Sequence, residues 1–244
     1  MPTRLDCVVV DAADPGALAR WWAGALGWAV TAEEPNEVAV EPPEPGGLGV
    51  PLLFVPVGDP KVGKNRVHLD LRSGSTGEQA ALVERLTGRG ASPADVGQGD
   101  AELPWVVLAD PEGNEFCVLD PRDVYAATGP VAAVVVDAAD PAALARFWAE
   151  AAGWPVARAD GGLVALRAPS GRGPFVEFLP TDNPKRVKNR LHLDVAPYPG
   201  DDQAAEVERL RALGAAPARV GQGQVSWVVL ADPEGNEFCV LTPR

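Results

Sequence analysis

Apolar residues in this chain fall into short valine-rich runs and into helical stripes, and the alternation between the two predicts the elements. Leu5 to Val10 is nearly continuous and reads as a buried strand. Asp14-Pro15 then offers a helix cap and a first helical residue, Leu18, Trp21, Trp22 and Leu26 fall on one face of the turns that follow, and Gly27 stops them. Glu37 to Val40 and Pro51 to Val55 suggest further strands, separated by a Pro/Gly-rich stretch over 41–49. Farther on, Arg66 to Leu71 alternates as a half-buried strand and Gln79 to Gly88 has the spacing of an amphipathic helix. Trp105 to Ala109 and Glu115 to Leu119 then form a hairpin turning at Asp110-Pro-Glu-Gly113. The pattern predicts two βαβββ-like halves, with helices on one face of a sheet and the other face free.

The rest of the chain repeats this order. Val8 to Pro15 recurs letter for letter as Val134 to Pro141, and the fifteen residues from Trp105 to Leu119 recur as Trp227 to Leu241. Between these anchors, Lys64-Asn-Arg-Val-His-Leu-Asp70 matches Lys188-Asn-Arg-Leu-His-Leu-Asp194 with one conservative change. The chain therefore reads as an α+β tandem duplication: a first domain over 1–122, a linker over 123–129 and a second domain over 130–244. The two copies are expected to fold alike and to pack about a pseudo-twofold axis, since a half-open sheet exposes an edge that another copy can cover.

Composition narrows the class. Hydrophobic residues make up 46% of the 244, normal for a core-forming globular chain, and no apolar run approaches the roughly 18 residues of a membrane span. The first residues, Met1 to Asp6, lack the apolar stretch of a signal peptide, so a soluble cytoplasmic protein is expected. Lys plus Arg number 21 against 34 Asp plus Glu, a net charge of −13 that argues against nucleic acid and anionic membranes as partners. Cys7, Cys117 and Cys239 are odd in number and far apart, a pattern of free thiols.

Candidate chemistry lies on the free face. Strand alternation buries Val67, Leu69 and Leu71 under the helices and turns Arg66, His68 and Asp70 the other way, with Glu115 and Cys117 beside them. The second copy offers Arg190, His192, Asp194, Glu237 and Cys239, and the chain's only two histidines both fall on this face. Either trio could equally be the polar side of a half-buried strand. Of the seven tryptophans, Trp21, Trp22, Trp28, Trp148 and Trp154 fit helix packing, whereas Trp105 and Trp227 begin a cleft strand and could stack on a flat ligand. Two basic tracts, Lys61 to Arg66 and Pro184 to Arg190, could draw an anion or simply offset nearby acids.

The strand ending in Asp, the Asp-Pro-x-x-Leu-Ala-Arg-x-Trp helix start, the single-His strand and the closing Asp-Pro-Glu-Gly-Asn turn resemble the vicinal oxygen chelate superfamily. More narrowly they resemble its glyoxalase-like and bleomycin-resistance-like members, once per copy and over nearly the whole chain. The resemblance implies two tandem glyoxalase-like domains, each of paired βαβββ modules. It also implies a divalent-metal site with a His on the first strand, Glu or His on the fourth, His on the fifth and Glu on the eighth. At those positions this chain has Cys7 and Ala133, Leu53 and Glu177, His68 and His192, and Cys117 and Cys239. Related proteins assemble a site from halves of two domains. Exchanging halves here leaves one cleft with Glu, His and Cys and the other with two Cys and a His; either could make a soft zinc site, but no metal and no cofactor are expected.

The favoured reading is a small-molecule-binding protein with a degenerate metal site, a monomer or homodimer, its ligand oriented by Arg66, Asp70, Trp105, Glu115, Arg190, Asp194, Trp227 and Glu237. One alternative is a metal-independent lyase or isomerase with His68, His192 or Glu177 in catalysis and an Arg holding an oxyanion. Another is a protein that sequesters an antibiotic. In a further variant only one of the two clefts works, the difference between Glu177 and Leu53 being the visible hint.

Overall fold

The computed structural model describes residues 3–43, 48–98, 103–221 and 223–244, so four residues of the Pro/Gly-rich stretch over 41–49 lie outside the described ones. The first repeat runs β1 (Arg4–Ala12), α1 (Pro15–Leu26), β2 (Ala29–Glu34), β3 (Glu37–Glu41) and β4 (Leu52–Pro56). It continues with β5 (Val67–Leu71), α2 (Thr76–Thr87), β6 (Ser92–Pro93), β7 (Trp105–Ala109) and β8 (Glu115–Leu119). A 3-10 turn, Asp123–Tyr125, leads into the second repeat. There follow β9 (Val131–Ala138), α3 (Pro141–Ala152), β10 (Val156–Asp160), β11 (Leu163–Arg167) and β12 (Phe175–Pro180), and then β13 (Leu191–Ala196), α4 (Gln203–Ala212), β14 (Ala216–Pro217), β15 (Val228–Ala231) and β16 (Glu237–Val240).

Local signals set most of these boundaries. Asp14 caps α1 by accepting from Ala17 N, Pro15 begins it, and Gly27 ends it at φ 69°, in the left-handed region that glycine adopts without strain. Helix α2 begins earlier than its apolar spacing suggests, because Ser75 accepts from Glu78 N while Glu78 reaches back to Gly74 N. The short strands β2 and β10 carry little apolar alternation and depend on pairing with β3 and β11.

The strand pairing redistributes the repeats. One eight-stranded sheet, sheet A, has the order β14-β15-β16-β13-β1-β4-β3-β2, and the other, sheet B, has the order β10-β11-β12-β9-β5-β8-β7-β6. Each sheet thus takes its first-half module from one repeat and its second-half module from the other. The joints are antiparallel pairs with equivalent register: Val9 faces His192 in sheet A, and Val135 faces His68 in sheet B. The helix-side faces of both sheets share one apolar core that includes Val8, Val10, Val67, Leu69, Val134, Val136, Leu191 and Leu193. In it Trp22 packs edge-on against Phe116 at 5.2 Å, and Trp148 packs the same way against Phe238 at 5.2 Å. Among the described residues no helix is long and apolar enough to cross a membrane.

The repeated Asp-Pro-Glu-Gly-Asn turn ties the two sheets together. Glu112, in sheet B, accepts from Ala13 N at 2.7 Å and Asp14 N at 2.9 Å at the end of β1 in sheet A, and pairs with Arg190 at 3.1 Å. Glu234 does the same for Ala139 N, Asp140 N and Arg66. Arg66 further donates to the carbonyls of Asn183 and Asp137, and Arg190 to that of Asp59.

Candidate functional site

The face of each sheet turned away from the helices carries the same polar trio. The ligating atoms of His68, Asp70 and Cys117 lie within 4.8 Å of one another in sheet B, as do those of His192, Asp194 and Cys239 in sheet A. Alternation delivers them: Asp70 stands beside Cys117 across β5 and β8, and Asp194 beside Cys239 across β13 and β16. His68 Nε2 is 3.5 Å from Asp70 Oδ1, and His192 Nε2 is 3.4 Å from Asp194 Oδ1. The Cys117 thiol is pushed up by burial first and then by the Asp70 carboxylate, and Cys239 likewise by burial and Asp194. Both are protonated thiols at neutral pH.

The faces differ in the next strand over. In sheet B, Glu177 pairs with Val135, which pairs with His68, so Glu177 and His68 flank Val135 about 10 Å apart at the backbone. The equivalent position in sheet A is Leu53, beside Val9. Glu177 is only 2% exposed, and burial raises its carboxyl from the ordinary 4.5 to about 6 against the opposing pull of Arg158, 3.6 Å away. A group not singled out by the sequence completes this face. Tyr125, from the turn between the repeats, is fully buried and its hydroxyl donates to Glu177 at 3.1 Å from Oε1 and 3.2 Å from Oε2. The only sequence signal for it was an aromatic residue in an otherwise polar and small linker.

The other anticipated residues are engaged elsewhere. Arg66 and Arg190 spend their guanidinium groups on the inter-sheet contacts given above. Glu115 accepts from Lys61 Nζ at 2.7 Å and Asn65 N at 3.1 Å, and Glu237 from Lys185 Nζ and Asn189 N, so these carboxylates fasten the basic loops. Lys64 pairs with Asp137 and Lys188 with Asp11, which accounts for much of the remaining basic charge. Trp105 is half-buried, with its Nε1 donating to Gln98 and Arg122 over its ring, while Trp227 is 39% exposed just ahead of β15.

The raised Glu177 pKa has a consequence for stability. The folded state holds this proton more tightly than the unfolded chain does, so its contribution is complete below pH 4.5 and is lost as pH rises through about 6. A shift from 4.5 to about 6 corresponds to about 2 kcal/mol. Urea unfolding of Glu177→Gln and the unaltered protein from pH 4 to 7 is expected to show the variant gaining about this much relative stability as pH rises. Parallel curves would mean that the carboxyl titrates normally.

A family model described as glyoxalase-like domain matches residues 7–119 and again 133–241. Among solved structures, glyoxalase I from Zea mays superposes with a TM-score of 0.67 at 15% identity, over 98% of this chain and 92% of that one. A putative dioxygenase from Bacillus subtilis subsp. subtilis str. 168 gives a TM-score of 0.62 at 14% identity, over 99% of this chain and 86% of that one. At such identities the likeness is one of fold. No curated protein matches the chain. The residues at the four positions of the vicinal oxygen chelate metal site differ from the His, Glu or His, His and Glu that the resemblance implies. Sheet A has Cys7, Leu53, His192 and Cys239 at the four positions, and sheet B has Ala133, Glu177, His68 and Cys117, with Glu177 already holding the Tyr125 hydroxyl.

Proposed function

Because the chain belongs to the glyoxalase-like domain family, with one match in each repeat, we propose that it is a small-molecule-binding protein with a degenerate metal site, its ligand held on the concave face of sheet B. One observation carries this choice of face. His68 and Asp70 are both more than nine-tenths buried, yet among the described residues His68 Nδ1 and Asp70 Oδ1 have no hydrogen-bond partner. Such groups cost about 1–3 kcal/mol each when left unpaired, which a ligand's polar atoms would recover. On sheet A the equivalent carboxylate oxygen is better served, because Asp194 Oδ1 accepts from Cys239 N at 3.2 Å.

A second reading is favoured by the Glu177 carboxyl, which titrates at about 6. With His68 on the other side of Val135, it places a carboxyl and an imidazole on opposite sides of one ligand, the arrangement a metal-independent lyase or isomerase requires. The Asp70 carboxylate would orient the imidazole in either reading.

Two measurements test the proposal. Protein purified without added metal is expected to carry far less than one equivalent of manganese, nickel or iron by mass spectrometry, and a full equivalent lost on replacing Glu177 or His68 would refute the degenerate site. A tryptophan-fluorescence screen of small carbonyl and hydroxy-aromatic compounds is expected to give a ligand whose affinity drops about tenfold in His68→Ala, about 1.4 kcal/mol, and less in His192→Ala. Severe unfolding of His68→Ala without a selective effect on that ligand would make the histidine a core residue.

A further inference from the structure

Tyr125 lies between the two segments that match the family, in the turn that joins the repeats, yet it is the largest side chain buried on the sheet-B face. Its ring shares a buried cluster with the small residues Ala132, Ala133, Val135 and Ala165 and meets Phe175 edge-on at 5.8 Å. Its hydroxyl spans both oxygens of Glu177. The backbone of the turn is secured by other contacts: Tyr125 N donates to Arg122 O at 3.0 Å, and Thr128 Oγ1 donates to Tyr125 O at 2.9 Å. Ring and carboxylate occur together on one face. Where sheet B has Ala133 and Glu177, sheet A has Cys7 and Leu53, and the buried apolar cluster there is formed by Ala196, Val229, Cys239 and Leu241, without an aromatic ring.

We propose that the concave face of sheet B is a site for a phenol, and that Tyr125 is its built-in occupant. A hydroxy-aromatic ligand would place its ring in this cluster beside Phe175 and its hydroxyl on Glu177, and it would enter when the tyrosine side chain leaves. The face then exists in two states, closed on its own side chain or open to a ligand of the same chemistry. An intramolecular occupant lowers the apparent affinity of the free ligand by the fraction of molecules that are open. His68 Nδ1, which among the described residues has no hydrogen-bond partner, lies on the same face and would take a further polar substituent of such a ligand. The inference rests on reading this face as the ligand site, and it specifies the ligand's class.

The probe is phenol itself, which equals the part of the side chain removed in Tyr125→Ala. Calorimetric titration is expected to show phenol binding Tyr125→Ala at least about tenfold more tightly than the unaltered protein and raising the variant's melting temperature. Benzene should bind the variant more weakly than phenol, and that preference should vanish in Tyr125→Ala/Glu177→Leu, which copies the sheet-A residue. Equal phenol affinity for the unaltered protein and Tyr125→Ala, or no binding to a folded Tyr125→Ala, overturns the proposal. If Tyr125→Ala does not fold, Tyr125→Phe keeps the ring but frees Glu177. It is expected to bind phenol several-fold more tightly than the unaltered protein, and an unchanged affinity is then the overturning result. A small-molecule screen that fails on both the unaltered protein and Tyr125→Ala counts against the ligand-binding reading, whereas equal phenol affinity for the two counts against the built-in occupant alone.

Discussion

Expressed alone, residues 1–122 are expected to form a dimer rather than a folded monomer. In the full chain β1 pairs with β13 and β5 pairs with β9, each pairing crossing between the repeats. Cutting the chain after the first repeat strips β1 and β5 of those partners and exposes two strand edges that in the full chain no strand of the same repeat covers. The lost ladder bonds are worth about 1 kcal/mol each, and Val8, Val10, Val67 and Leu69, all at most 3% exposed, lose part of their cover. Together that rivals the roughly 5–15 kcal/mol by which a domain is stable. A second copy supplies the remedy, because β13 and β9 are the repeat equivalents of β5 and β1. Two copies can therefore pair β1 with β5 reciprocally and rebuild both sheets. Sedimentation equilibrium with far-UV circular dichroism across a dilution series should show helix and strand signal lost as the dimer dissociates. A folded monomer persisting at nanomolar concentration would contradict this.

Replacing Asp110 by Ala is expected to cost about 3–4 kcal/mol, a large loss for one surface turn. The carboxylate is buried and accepts from Trp22 Nε1 at 3.1 Å, Glu112 N at 2.9 Å, Asn114 N at 2.9 Å and Asn114 Nδ2 at 3.0 Å. Alanine leaves all four donors unpaired. It also loosens the turn that aims Glu112 at the end of β1, so the joint between the sheets weakens along with the turn. Asp232→Ala should behave alike, because Asp232 makes the same contacts with Trp148, Glu234 and Asn236. Urea denaturation of both variants measures the effect. A loss below about 1 kcal/mol at either site would mean that water replaces the carboxylate there.

Much of this architecture is legible in the sequence because its causes are local. Caps such as Asp14 and Asp140, the αL glycines after α1 and α3, and the apolar alternation of β5 and β13 act within a few residues, and fifteen identical letters reveal the duplication. The same alternation puts His68 with Asp70, and His192 with Asp194, on the concave side of their strands, because a one-residue slip would bury them under the helices. The start of α2 is harder to read, since its cap, Ser75, lies four residues ahead of Gln79, where the apolar period begins. The edge strands β2 and β10 owe their conformation to neighbours rather than to alternation.

Tertiary structure alone decided three things. It decided which halves share a sheet, because identical repeats can pair within or between copies and the local sequence is the same in both cases. It decided that Arg66 and Arg190 reach across to carbonyls and a carboxylate of the other repeat. Each precedes its strand, and a long flexible side chain is directed by whatever acceptors the fold brings near, which alternation cannot forecast. And it decided that Tyr125, in a segment with no counterpart between the repeated blocks, joins the buried cluster of sheet B against Glu177. A linker's side chain finds its partner only after the strands it joins have been paired.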